Sequence, residues 1–159
     1  MQYYIKRKKK DVANEAKKAT RKPRSKPNLI KKLDKYFALY IRLRDVMPSG
    51  YFRCISCGRI KPFEEGDCGH FHSRIHMATR FDEDNCNAEC RYCNRMSADH
   101  LIGYQRNLIQ KIGQSRFDLL NVKAHSAKHY MDFELEQMIE HYKNECKKLS
   151  SMKGIKVNV

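Results

Sequence analysis

Two Cys-x-x-Cys pairs, Cys54/Cys57 and Cys90/Cys93, constrain this chain more than any other feature, and between them lie Asp67, His70, His72, Arg74 and Asn85. Four thiols at this spacing are the ligand set of a tetrahedral structural zinc site. Only residues 58 to 89, 32 in number, separate the pairs, enough for a hairpin and a loop. So small a unit buries too little apolar surface to fold alone, and metal binding is expected to supply its folding energy. The order expected around the metal is strand, strand, helix. A histidine with carboxylate and carboxamide neighbours inside that unit suits metal-assisted cleavage of a phosphodiester. The same spacing also suits a purely structural knuckle with a polar surface, and spacing alone does not choose.

Charge points to the partner. The 159 residues carry 33 Lys+Arg against 18 Asp+Glu, a net +15. A polyanionic partner is the economical explanation of that excess, and an acidic membrane surface is the competing one. No long apolar segment, lipidation signal or signal peptide is found, so no membrane partner is expected and the cytoplasm is the expected location. No small-molecule substrate is expected. Seven cysteines, four of them in metal-like spacing, suit a reducing compartment. Cys68, Cys86 and Cys146 are expected as buried free thiols, the first two near enough to the site to enter an altered ligand set.

Residues 1–28 hold eleven Lys/Arg against Asp11 and Glu15 and read as a flexible basic arm that binds phosphate without reading sequence. Residues 29–47 read as an amphipathic helix, because Ile30, Leu33, Phe37, Tyr40 and Ile41 recur at three- and four-residue steps. Its other surface carries Lys31, Lys32, Lys35, Arg42 and Arg44, a basic back offered to DNA. Residues 48–113 form the expected zinc-bound core, with Cys57-Gly58 as the knuckle turn and two extended segments between Arg59 and Arg80. A single helix is expected from about Arg91 through Leu101 to Ile112, stopped by Gly113. In the C-terminal region, 114–159, Phe117 to His129 stays unassigned and Met131 to Leu149 reads as a helix. Its stripe of Leu135, Met138, Ile139, Tyr142, Cys146 and Leu149 suits intramolecular core better than a dimer seam. The fold class is α+β.

A resemblance sharpens this. Cys54-x-x-Cys57, Asp67-Cys68-Gly69-His70, Asn85 and Cys90-x-x-Cys93-Asn94 resemble the HNH nucleases of the ββα-metal (His-Me finger) superfamily. Phage endonuclease VII has a similar arrangement of four zinc cysteines around a His and an Asn. A closer resemblance is to the phage NinG/Rap recombination proteins. It is carried also by Ile41-Arg42-Leu43-Arg44-Asp45, Ser73-Arg74, Arg80-Phe81-Asp82, Tyr104 and Leu108-Ile109-x-x-Ile112-Gly113, and covers about half the chain, Asp34 to Gly113.

The resemblance implies a zinc-stabilised ββα core flanked by helices. It makes His70 the general base, Asn94 a ligand of a catalytic Mg²⁺ or Mn²⁺, and Asn85 a brace for the His-bearing loop. Arg74 and Arg80 become candidates for holding phosphate or fixing that loop. One position departs from the pattern: HNH proteins commonly have Asp before the base, where Gly69 stands here. Asp67 lies two residues earlier on the same face of an extended segment and is the expected replacement ligand. His72 is the rival base; His76 and His100 are expected to face solvent. The implied activity is a structure-selective endonuclease cutting branched recombination intermediates such as Holliday junctions, and two symmetric cuts imply a homodimer. The competing expectations are a non-catalytic zinc-dependent nucleic-acid binder and a nicking HNH enzyme on linear duplex.

Overall fold

The computed structural model describes residues 25–159. Most of the basic arm, residues 1–24, lies outside the described residues. Helix α1 spans Lys26–Asp45, starting three residues before the expected boundary. Pro27 causes the difference: it sits in the first turn, where its missing N–H costs nothing and its fixed φ suits a helix. The helix buries Leu29, Leu33, Tyr36, Phe37, Ile41 and Leu43 along one stripe.

Strands β1 (Tyr51–Arg53) and β2 (Ile60–Pro62) pair antiparallel around the first cysteine pair. Gly58 closes their turn at φ +71°, donating its N–H to the Cys54 carbonyl at 2.9 Å. A 3₁₀ turn, Phe63–Glu65, leads into β3 (Gly66–His70), which pairs antiparallel with β4 (Cys86–Cys90). The register sets Gly66 opposite Cys90, Asp67 opposite Glu89, Gly69 opposite Asn87 and His70 opposite Cys86.

Helix α2 (Arg91–Met96) follows at once, and α3 (His100–Ile112) begins after a break. The single helix expected here is therefore two. Ser97 is extended, and the bend lays α3 against the knuckle, where Gly103 has no Cβ to collide with the Ser56 carbonyl. Tyr104 and Leu108 are fully buried as a result. Helix α4 (Gln114–Ala124) fills much of the unassigned stretch, and α5 runs Asp132–Lys153.

Helices α1 and α5 pack with β3 and β4 in one cluster, where Phe37 meets Tyr142 edge-to-face at 5.0 Å. Cys68, Cys86 and Cys146 are buried free thiols, and the α5 stripe of Leu135, Ile139, Tyr142 and Cys146 faces this core. A second cluster under the knuckle includes Phe52, Phe63 and Ala88, and a third joins α3 to α4. The chain is thus α+β, with small antiparallel sheets held between helices. No helix among the described residues is long and apolar enough to cross a membrane.

Candidate metal centre and adjoining pocket

The knuckle brings Cys54 and Cys57 to the end of β1, while β4 and the first turn of α2 supply Cys90 and Cys93. The four sulfurs all lie within 4.8 Å of one another, a grouping that can hold a metal ion such as zinc. Cys90 N–H donates to Cys54 Sγ at 3.3 Å, an amide–thiolate contact of the kind that holds such ligands in place. Burial pushes the Cys54 thiol up to about 11 and Cys93 higher still. Against its own burial, Cys57 is held below its usual value by the Arg59 amide and the neighbouring thiols. Four thiolates at this range repel one another, and a cation is what allows all four to ionise.

Gly69 is explained by the opposite strand. A Cβ there would overlap Glu89 Oε2 and lie 2.8 Å from Glu89 Cβ. Glu89 is completely buried. Its Oε1 accepts from Ser56 Oγ at 2.5 Å and His100 Nδ1 at 2.7 Å, while Oε2 is buried without a hydrogen-bond partner. A carboxyl group from β4 therefore fills the space of the missing side chain and ties the knuckle to α3. His100, expected to face solvent, is part of this contact.

His70 ends β3. Alternation along the strand puts it on the face of Cys68 and Cys86, opposite the face of Asp67, Gly69, Asn87 and Glu89. Its Nδ1 lies 3.3 Å from the Cys68 carbonyl and its Nε2 3.2 Å from the Arg80 carbonyl. Burial lowers its pKa below 6.5, and the Arg74 charge lowers it further. A ring nitrogen of His70 and the sulfurs of Cys68 and Cys86 also lie within 4.8 Å of one another. His72 does not share this face, because the strand ends at His70. Its Nε2 instead meets Asn121 Oδ1 of α4 at 2.9 Å.

Asn85 is completely buried and spans the loop that follows His70. Its Oδ1 accepts the His72 N–H at 2.7 Å, and its Nδ2 donates to the His72 carbonyl at 2.9 Å and the Thr79 carbonyl at 3.0 Å. The Tyr104 hydroxyl donates toward the Gly69 carbonyl at 2.9 Å and the Asn85 carbonyl at 3.1 Å, pinning both ends of that loop to α3. Arg80 fixes the same loop to α1 through a two-pronged pair with Asp34, at 3.0 and 2.6 Å.

Asp67 and Asn94 converge in a cavity of about 310 Å³ lined also by Ala38, Arg42, Cys68, Arg74 and Arg95. Asn94 Nδ2 donates to Asp67 Oδ2 at 3.1 Å. Arg95 holds both carboxylate oxygens, with Nε at 2.6 Å from Oδ2 and Nη2 at 2.8 Å from Oδ1. Although burial opposes it, these donors keep the Asp67 carboxyl below its usual range.

The expected DNA-facing residues divide. Lys31 and Lys35 are exposed on α1, and Lys32 and Lys35 each lie within 6 Å of the Tyr36 ring centre. Arg42 is not on the back of the helix: it stacks 4.2 Å over the Phe63 ring, donates to the Phe63 carbonyl at 2.9 Å and lines the cavity. Arg44 turns inward as well, bonding Asp45 and the Cys86 carbonyl. Their spacing fits a solvent face, but the strand pair lies against that side of α1. Sequence reasoning gave no role to Glu89, Tyr104 or Arg95. Tyr104 figured only among the residues that carry the resemblance, and Glu89 gave a signal as a charged residue directly before a metal-type cysteine.

Over residues 2–152 the chain matches the family model described as Bacteriophage Lambda NinG protein. The curated proteins named ninG from Escherichia phage 933W and Escherichia phage lambda are 35% and 34% identical to it over 99 residues, 61% of this chain and 45% of theirs. That of Salmonella phage P22 is 34% identical, also over 99 residues. The matched stretch therefore spans less than half the length of these relatives. No solved structure matches the chain.

Proposed function

We propose, from the premise that this chain belongs to the NinG family of bacteriophage proteins, that it is a metal-dependent endonuclease acting on branched DNA. The observation that carries the reading is the strand–strand–helix unit β3–β4–α2, with His70 at the end of β3, Asn85 in the loop directly before β4 and Asn94 on α2, beside four converged thiols. This is the order in which an HNH, or His-Me finger, nuclease carries its base, brace and ligand.

In this reading the four cysteines hold zinc and take no part in the chemistry. Asp67 and Asn94 offer oxygen atoms suited to Mg²⁺ or Mn²⁺. Bound there, the ion would supply charge stabilisation to the leaving oxygen. His70 takes the proton from the attacking water, and its lowered pKa keeps it neutral for that task. A neutral imidazole has one N–H, so it donates to one of its two facing carbonyls and turns a lone pair toward the other. A water entering between Nε2 and the Arg80 carbonyl relieves that contact and becomes the water activated. Asn85 and Tyr104 hold the loop through which it enters. Arg74 supplies positive charge near His70 and in the Asp67 cavity, where a phosphate would lie.

The net +15 and the exposed Lys31 and Lys35 suit the converging backbones of a junction. Two symmetric cuts would require a homodimer. One observation favours the second reading, a non-catalytic zinc-dependent DNA binder: carbonyl oxygens face both His70 nitrogens. The test is Mg²⁺-dependent cleavage of a synthetic four-way junction beside linear duplex of the same sequences. Cleavage of the junction alone supports the proposal. Equal cleavage of both makes the protein a nicking enzyme without branch selectivity, and binding without cleavage leaves the non-catalytic reading.

A further inference from the structure

Among the described residues Asp67 is the one carboxylate lining its cavity, and Arg95 already occupies the lone pairs a cation would use. The two partners are unequally held: the Arg95 side chain is 59% exposed and that of Asp67 16%. Arg95 can swing into solvent without uncovering the core, while the carboxylate stays. Two further guanidiniums, Arg42 and Arg74, line the same space. Three positive charges against one negative repel an incoming divalent cation, and an accompanying phosphate offsets them. Arg42, which lines the cavity, adds a second pointer: its Nε is a buried donor with no hydrogen-bond partner among the described residues. An unsatisfied donor on a side chain that lines such a cavity calls for an anionic oxygen.

We propose that Arg95 is the built-in counter-ion of the free protein, displaced from Asp67 by a divalent cation that binds together with a phosphodiester. The released Arg95 then joins Arg42 Nε and Arg74 as a phosphate ligand. Cation and phosphate thereby raise each other's affinity, as reciprocal linkage requires. The inference rests on the reading of Asp67 and Asn94 as cation ligands.

The experiment measures Mn²⁺ binding to the zinc-loaded full chain by the electron paramagnetic resonance of free Mn²⁺, with and without a thymidine dinucleotide carrying one phosphodiester. Arg95→Gln is expected to tighten Mn²⁺ binding to the free protein by about ten-fold or more, since the carboxylate loses its competitor. In the wild type the dinucleotide should tighten Mn²⁺ binding, and in Arg95→Gln that gain should shrink. Equal Mn²⁺ affinity in wild type and Arg95→Gln overturns the exchange, and so does a dinucleotide that leaves wild-type affinity unchanged. Asp67→Asn separates this failure from that of the parent reading. If Asp67→Asn abolishes Mn²⁺ binding while Arg95→Gln changes nothing, only the exchange is lost. If Mn²⁺ still binds to Asp67→Asn, the Asp67 site falls with it. Arg95 is exposed, so unchanged melting temperatures are expected for its variants.

Discussion

The four-cysteine cluster and the Asp67 cavity lie on adjacent rungs of one hairpin, with Gly66 opposite Cys90 and Asp67 opposite Glu89, yet they balance charge in opposite ways. The cluster gathers four like groups at a range where a cation can hold them together. The cavity gathers a carboxylate and its arginines and is complete without one. On the proposed reading, a metal that builds a fold and a metal that visits a site leave different traces. In the first, like ligands converge on one another; in the second, the ligand is kept by a replaceable partner.

The largest effect should come from the cluster. Cys90→Ser, or zinc chelation, is expected to unfold the central unit, because the knuckle and the start of α2 are joined through the ion. Withdrawing Mg²⁺ or Mn²⁺ should leave melting unchanged. Circular dichroism during thermal melting reads both, and a zinc-free protein that kept its native melting temperature would break the comparison.

Next comes the boundary between the two regions. Gly69→Asp introduces the residue common in HNH proteins, and on the proposed nuclease reading alone it should improve the site. The structure predicts the reverse. The new Cβ meets Glu89, and a second carboxyl group would be buried beside one that already has an unpartnered oxygen. A loss of roughly 2–4 kcal/mol is expected from overpacking and an unpaired buried polar group. Denaturant unfolding measures it. A Gly69→Asp protein of full stability and higher activity would show that Glu89 does not occupy that space in solution.

The third effect tests the proposed catalysis. His70→Ala should reduce junction cleavage by on the order of 10²-fold, the scale of a lost general base, with zinc content and junction affinity near wild type. Burial, assisted by Arg74, lowers the His70 pKa, so the neutral base persists somewhat below pH 6.5. For stability the sign is the same: a depressed histidine pKa contributes above 6.5, and that contribution is lost as pH falls through the folded-state value. The pH profile of kcat/KM should therefore be flat above 6.5 with an acid limb below it. Arg74→Gln should move that limb upward. A limb unmoved by His70→Ala would assign the titration to another group.

What the sequence made legible follows the same division. Cysteine spacing has a strict stereochemical meaning, so the cluster and the knuckle turn at Gly58 could be read directly. The two extended segments expected between Arg59 and Arg80 match β2 and β3, while β4, Cys86–Cys90, falls outside that stretch and escaped. The apolar stripes of α1 and α5 were legible because burial imposes a helical period. The cavity was only half legible. Asp67 and Asn94 could be named, but Arg95 was not, because an exposed arginine on a short helix has no distinguishing pattern. The break at Ser97 escaped for a related reason: only the contact of Gly103 with Ser56, 47 positions apart, makes sense of it. Arg42 was assigned to the wrong face because helical periodicity reports which residues are apolar, not where a long polar side chain bends.

Arg80 gives the smallest effect and the sharpest choice between two roles. The sequence offered it as a phosphate ligand or a loop fastener. Both its prongs go to Asp34, with both side chains about one-fifth exposed, and its Nη1 reaches the Arg74 carbonyl at 3.1 Å. A planar guanidinium is needed to hold two carboxylate oxygens at once, and an ammonium is not equivalent. Arg80→Lys should therefore cost about 1 kcal/mol of stability, the upper end for a partly exposed pair. Asp34→Asn should cost a similar amount, and the double variant little more, because the two changes remove one shared interaction. A phosphate ligand behaves differently: Asp34→Asn would free it and strengthen DNA binding, while Arg80→Lys would keep its charge and the salt slope. Denaturant melts and a salt titration of junction affinity on these three variants separate the roles. Sub-additive stability losses with unchanged salt slopes identify the fastener. Stability unaffected by either single change would leave the loop held by its other contacts, Asn85, Tyr104 and His72 among them, and Arg80 free for DNA.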